Sequence, residues 1–81
     1  MANTSDETLT VHDFSGLKCP LPVLKARRAL SQSDDGTQLI FIADDPAAPL
    51  DFAHFCETSG HRLLAQETKA DKFYFTIKKQ A

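Results

Sequence analysis

Cysteine is scarce in this chain: there are two, Cys19 and Cys56, with no CxxC pair. The three histidines, His12, His54 and His61, are scattered, and only His54 lies near a cysteine. A structural zinc site needs clustered ligands, so no metal is expected. Long apolar runs are missing too, since the longest, Leu39-Ile40-Phe41-Ile42-Ala43, falls far short of the ~20 residues that span a bilayer. No membrane anchor is expected. Residues 1–7 are polar and acidic, without the basic and apolar regions of a secretory signal. They read as a flexible leader on a cytoplasmic protein, where reducing conditions disfavour a structural disulfide. There is no excess of positive charge, the net charge being −2, and no aromatic stacking motif. Direct nucleic-acid binding is therefore not signalled.

What remains is enough for one core. A chain of 81 residues, 42% hydrophobic with six Phe, can close a single small domain, expected over residues 8–79. No repeat or low-complexity segment interrupts it. Residues 8–14 alternate, with Leu9 and Val11 on one side and Thr8, Thr10 and His12 on the other, the period-2 pattern of a half-buried strand. Ser15-Gly16 breaks the pattern. From Pro20 to about Ser33, Val23, Ala26 and Leu30 recur at helical spacing with Leu21 and Leu24 beside them, and Pro20 suits a first helical turn. Cys19 then falls at or next to the N-cap.

Asp34-Asp35-Gly36 ends that helix, and residues 37–43, apolar on both faces, read as a central covered strand. A shorter helix is expected from about Pro49 or Leu50 to Ser59, with Phe52, Phe55 and Cys56 at helical spacing and Gly60 in the C′ place. Residues 62–68 and 72–79 read as an antiparallel hairpin turning at Lys69-Ala70-Asp71. The order β-α-β-α-β-β implies at least one parallel pair, with the terminal hairpin antiparallel. It predicts an α+β two-layer sandwich: a mixed four-stranded sheet with both helices on one face, the other face carrying Thr, Gln, Lys and Tyr.

The informative stretch for chemistry is Cys19-Pro20-Leu21-Pro22, where two prolines stiffen the backbone after a cysteine. A cysteine at a helix N-terminus is favoured as thiolate by the macrodipole and unpaired N–H groups, and Lys18 adds positive charge. Placement alone leaves two readings open, a reactive thiol and a buried inert one. Cys56 could be a resolving or second reactive thiol, but its spacing with Phe52 and Phe55 points to the core. Asp44-Asp45-Pro46 could be a paired-carboxylate site, a docking contact or a local Asx turn into Pro46. His61, after Gly60, would suit a helix end as a cation. Lys18, Lys25, Arg27 and Arg28 make the cysteine's helix basic in an acidic chain. They form either a solvated face or a docking surface that steers a partner.

The run Asp13-x-x-Gly16-Leu17-x-Cys19-Pro20-x-Pro22 resembles the signature of the TusA/SirA-like sulfur-carrier family. The resemblance continues through Asp44-Asp45-Pro46, Asp51, Phe55-Cys56 and Gly60-His61. Two departures stand out. Ala53 lies where members often carry a proline, so the second helix is expected to start slightly differently. Leu50 lies where some members serving tRNA thiolation carry a basic residue, so the match to that branch is weaker than to the family as a whole. The resemblance implies that Cys19 carries sulfane sulfur as a persulfide, with Gly16, Leu17, Pro20 and Pro22 positioning it and no cofactor required. It also implies a donor protein, a cysteine desulfurase or rhodanese type, and an acceptor relay protein for tRNA thiolation, cofactor assembly or sulfur metabolism. The alternative is a regulatory or RNA-binding adaptor, because the implied fold is similar to an RNA-contacting domain of a translation initiation factor.

Overall fold

The computed structural model describes residues 9–18 and 20–80. The leader expected over residues 1–7 and the candidate carrier Cys19 lie outside the described residues. Six elements follow in order: β1 (Leu9–Asp13), α1 (Leu21–Ser31), β2 (Gln38–Ala43), α2 (Ala48–Ser59), β3 (Arg62–Lys69) and β4 (Lys72–Lys78). They form a mixed four-stranded sheet ordered β1-β2-β4-β3, with β1 parallel to β2 and β4 antiparallel to both β2 and β3. This is the expected architecture, with both helices packed on one face.

Alternation on the two central strands sets the layers. In β2, Leu39, Phe41 and Ala43 are buried, and the register places them beside Ile77, Phe75 and Phe73 of β4. The intervening residues Gln38, Ile40 and Ile42 pair with Lys78, Thr76 and Tyr74 on the open face. Against the covered face α1 lays Pro22, Ala26 and Leu30, one residue per turn, and α2 lays Ala48, Phe52, Phe55 and Cys56. Phe52 is the hub. Its ring stacks on Phe75 at 4.4 Å between centroids and on Phe41 at 6.0 Å, and all three rings are fully buried. Each such ring contributes about 1.5–3 kcal/mol of apolar burial.

Several sequence expectations need correction. The buried side of β1 is the His12 side: Val11 is 56% exposed, whereas His12 pairs in register with Phe41 and stacks on its ring at 5.3 Å. The strand's apolar anchor is Phe14, two residues on from His12, which packs against the core. In α1 the inward row is Pro22, Ala26 and Leu30, so Leu21 and Leu24 stand 45% and 50% exposed. That helix also starts one residue later than expected. Pro20 takes the N-cap place, its carbonyl accepting from the Leu24 N–H at 3.1 Å, and Pro22 is the proline inside the first turn. The second helix starts earlier, at Ala48, with Ala47 as N-cap and Pro49 in the first turn. Pro49 supplies there the preset φ that a proline at position 53 would have placed further on.

Both helix ends close as their residues dictate. Gly60 ends α2 at φ +87°, its N–H donating to the Cys56 carbonyl at 3.0 Å. The end of α1 is held from elsewhere in the chain: Lys79 Nζ donates to the carbonyls of Leu30 and Ser33, each at 2.9 Å. Ala70 and Asp71 turn the hairpin, both at positive φ, as a two-residue type I′ connection requires.

Candidate functional site

The β1–α1 connection is the part of the fold that leads into the CPxP stretch. Phe14 extends the β1–β2 ladder by one bond, donating to the Ile42 carbonyl at 2.8 Å. Leu17 N–H then donates back to the Phe14 carbonyl at 3.1 Å, closing a four-residue turn with Gly16 in its third place at φ +87°. A type II turn demands that sign of φ there, which glycine adopts without strain. A Cβ built on Gly16 would meet nothing within 4 Å, so backbone conformation and not space selects glycine.

Two carboxylates hold this turn. Asp13 Oδ1 accepts from the Ser15 hydroxyl at 2.6 Å and from its backbone N–H at 2.9 Å. Those two bonds, the hydroxyl's first, keep the Asp13 carboxyl below its ordinary range. From the end of β2, Asp44 accepts the Gly16 N–H with both oxygens, each at 3.1 Å. Lys18 is exposed, and its carbonyl accepts the Leu21 N–H at 2.9 Å. The residues on either side of position 19 are thus each tied to the helix start, Lys18 through that bond and Pro20 through Leu24.

Few N–H donors remain at this helix end. Pro20 and Pro22 have none, and that of Leu21 is engaged with Lys18. Backbone donation to an anion there is more limited than a generic helix start would provide, which leaves the macrodipole and the Lys18 charge as the main favourable fields.

The remaining candidates separate. Asp45 Oδ1 accepts from the Ala47 N–H at 2.8 Å, the local Asx turn into α2. The neighbouring Asp44 instead reaches 28 positions back to Gly16. Among the basic residues Arg27 lines a groove between α1 and α2, while Lys25 and Arg28 are exposed. Arg28 sits in the last turn of α1, where a cation suits the dipole. Cys56 belongs to the core cluster, 6% exposed, and burial pushes its thiol up to about 11. It is protonated at neutral pH, the state of an inert core thiol. His61 is the reverse of the expected cation: burial, then the Lys79 charge, lowers its pKa, and its Nδ1 accepts the Gln80 N–H at 3.1 Å.

The groove that Arg27 lines has a volume of about 240 Å³ and starts at Pro20, with Leu24 on one wall and Asp51, His54 and Phe55 on the other. Sequence reading left this wall of α2 unassigned. The signal was present, because Asp51, His54 and Thr58 recur at helical spacing along one flank of the core row. Among the described residues no cluster of three His, Cys, Asp or Glu could hold a metal ion.

A sequence model of the family described as Sulfurtransferase TusA matches residues 10–79. The chain belongs to this family. Its fold is also that of a SirA-like protein from Desulfitobacterium hafniense, with a TM-score of 0.76 at 23% identity over 90% of this chain and 99% of that one. Membership makes this TusA-family chain a sulfurtransferase of the sulfur-carrier kind. No helix among the described residues is long and apolar enough to cross a membrane.

Proposed function

We propose that this protein is a cytoplasmic sulfur carrier whose residues 8–79 act as one domain and whose Cys19 holds the transferable sulfur. The observation that carries the reading is the pinned turn between Asp13 and Asp44, which leads directly into Cys19-Pro20-Leu21-Pro22 in a TusA-family chain. In the first step the Cys19 thiolate attacks the outer sulfur of a donor persulfide, R–S–SH. A Cys19–sulfur bond forms, the donor's S–S bond breaks, and R–S⁻ leaves with the electron pair. In the second step an acceptor thiolate attacks the outer sulfur of Cys19–S–SH, and Cys19 departs as thiolate. The sulfane sulfur moves without net oxidation, and protons exchange with water. No cofactor enters either step. The donor would be a cysteine desulfurase or rhodanese-type protein. The acceptor would be a relay protein serving tRNA thiolation, cofactor assembly or sulfur metabolism.

Carriers of this kind need to be grasped, not to enclose a substrate. Exposed Lys18 and Leu21, with Leu24 and Arg27 that line the groove, offer a mixed apolar and basic surface for a partner. Gly16 and Leu17 shape the turn before the carrier residue, and Pro20 and Pro22 stiffen the stretch after it. Lys25, Arg28 and Asp45 can add charge to the docking surface. Mass spectrometry after incubation with a persulfidated donor should show a gain of about one sulfur atom on the wild type and none on Cys19→Ser. Loading that persists on Cys19→Ser sinks the assignment.

A further inference from the structure

The carboxylate of Asp44 has no part in the transfer chemistry just written, yet it bonds to the loop from 28 positions further along the chain. We propose that Asp44 is a positioning residue for sulfur transfer: its two oxygens hold the Gly16 N–H and so fix the turn that presents Lys18 and the carrier residue to a partner protein. The proposal rests on the carrier reading above.

The argument starts from the turn. Type I and type II turns share the same outer hydrogen bond, here Leu17 N–H to the Phe14 carbonyl, and differ in which way the central peptide points. In this turn the central peptide joins Ser15 to Gly16. The N–H of that peptide is the one Asp44 accepts, at 3.1 Å to each oxygen, so Asp44 selects the orientation compatible with Gly16 at φ +87°. Asp44 is itself well anchored. It follows fully buried Ala43 at the end of β2, and Asp45 beside it is committed to the start of α2. The bond therefore ties the loop to a core strand across 28 positions of sequence.

The bond lies at the surface, where a hydrogen bond competes with water and adds little to global stability. Its effect is local order. Transfer between two proteins requires a thiol and a partner's sulfur to meet in line, and small misplacements are costly there. A small alkylating reagent approaches from any direction and is less sensitive. Asp44 could instead serve by charge alone, as a docking contact. An amide separates the two roles, because Asn keeps an acceptor oxygen for the Gly16 N–H and lacks the charge.

The test uses the full chain as wild type, Asp44→Ala and Asp44→Asn. For each, loading from a persulfidated donor protein is followed over donor concentration, alkylation by iodoacetamide is timed, and amide exchange is read at Gly16. Asp44→Ala should cut the saturated loading rate about tenfold and leave the half-saturating donor concentration in place. Its alkylation should stay within about twofold of wild type, its Gly16 amide should exchange faster, and Asn should restore both loading and protection. Equal loading by Asp44→Ala and wild type overturns the proposal. So does an Asn variant as slow as Ala, with a raised half-saturating concentration and a deficit that varies with salt, because that pattern belongs to charge docking. A wild type that takes up no sulfur overturns the carrier reading itself, a result distinct from either.

Discussion

The two helices are held in opposite ways. Each has a proline in its first turn and an N-cap residue without a capping side chain, yet α2 is fastened by its own neighbourhood and α1 from a distance. At α2 the fastenings are Asp45, two residues before Ala47, and Gly60 on the Cys56 carbonyl. At α1 they are Asp44 on the preceding loop, reached across 28 positions, and Lys79 on the carbonyls of Leu30 and Ser33, reached across 49 and 46. The difference teaches where order is spent. Both helices bury an apolar row, but the ends of the helix next to the CPxP cysteine are also tied to residues just past the ends of β2 and β4, whereas those of α2 are closed by residues adjacent in sequence.

The sharpest way to break the comparison is to remove the centre of the row that α2 buries. Phe52→Ala should cost about 3–5 kcal/mol, because a fully buried ring between Phe41 and Phe75 leaves a cavity. Urea denaturation measures it, and a loss under about 1 kcal/mol would mean that α2 is not held by its core face. Next comes the distant latch on α1. Lys79→Met keeps the side chain's length and deletes two charge-assisted bonds, with an expected loss of about 1–2 kcal/mol and faster exchange confined to the end of α1. Uniform loosening of both helices would erase the contrast.

A local fastening should cost less. Gly60→Ala forces a Cβ onto φ +87° but into open space, so the expected loss is about 1 kcal/mol, felt at the end of α2 and not in α1. The smallest effect is one of pH. The lowered pKa of His61 means that the folded protein favours the neutral ring. Its contribution is complete above the ordinary value of 6.5 and declines as pH falls from there to the lowered folded value, because over that interval the unfolded chain binds the extra proton. Stability measured between pH 7.5 and 5 should dip slightly in wild type, and His61→Gln should flatten that component. An acid-side rise due to His61 would reverse the assigned sign.

How much of this was legible beforehand follows the same division between local and distant. Element order, the core place of Cys56 and the role of Gly60 are short-range patterns, and they read correctly. A local turn at Asp44-Asp45-Pro46 was one of three readings, while β2, read as covered on both faces, buries only the Leu39, Phe41 and Ala43 side. The facing of β1 did not read correctly, because alternation reports two sides without saying which is covered. That was decided by the register of His12 against Phe41 and by Phe14 just past the strand. Asp44 and Lys79 were invisible in these roles, since nothing next to them in sequence marks their partners. At the site the Cys-Pro-x-Pro stretch and Gly16 were legible as a family pattern, and Lys18 only as a neighbouring charge. The α2 wall of the groove was not assigned until two helices had been placed side by side.

The strand order has one more consequence, in time and not in space. β1 and β2 pair with each other, but β3 is joined to that pair only through β4, the last strand in sequence. During synthesis, three of the four strands therefore emerge before the one that unites them. Until β4 arrives, β2 shows its antiparallel edge and Phe52 lacks Phe75, the ring it stacks on most closely. A nascent chain halted before position 72 would thus be adhesive, and the β3–β4 hairpin, the most local pairing, is the natural event that ends the exposure.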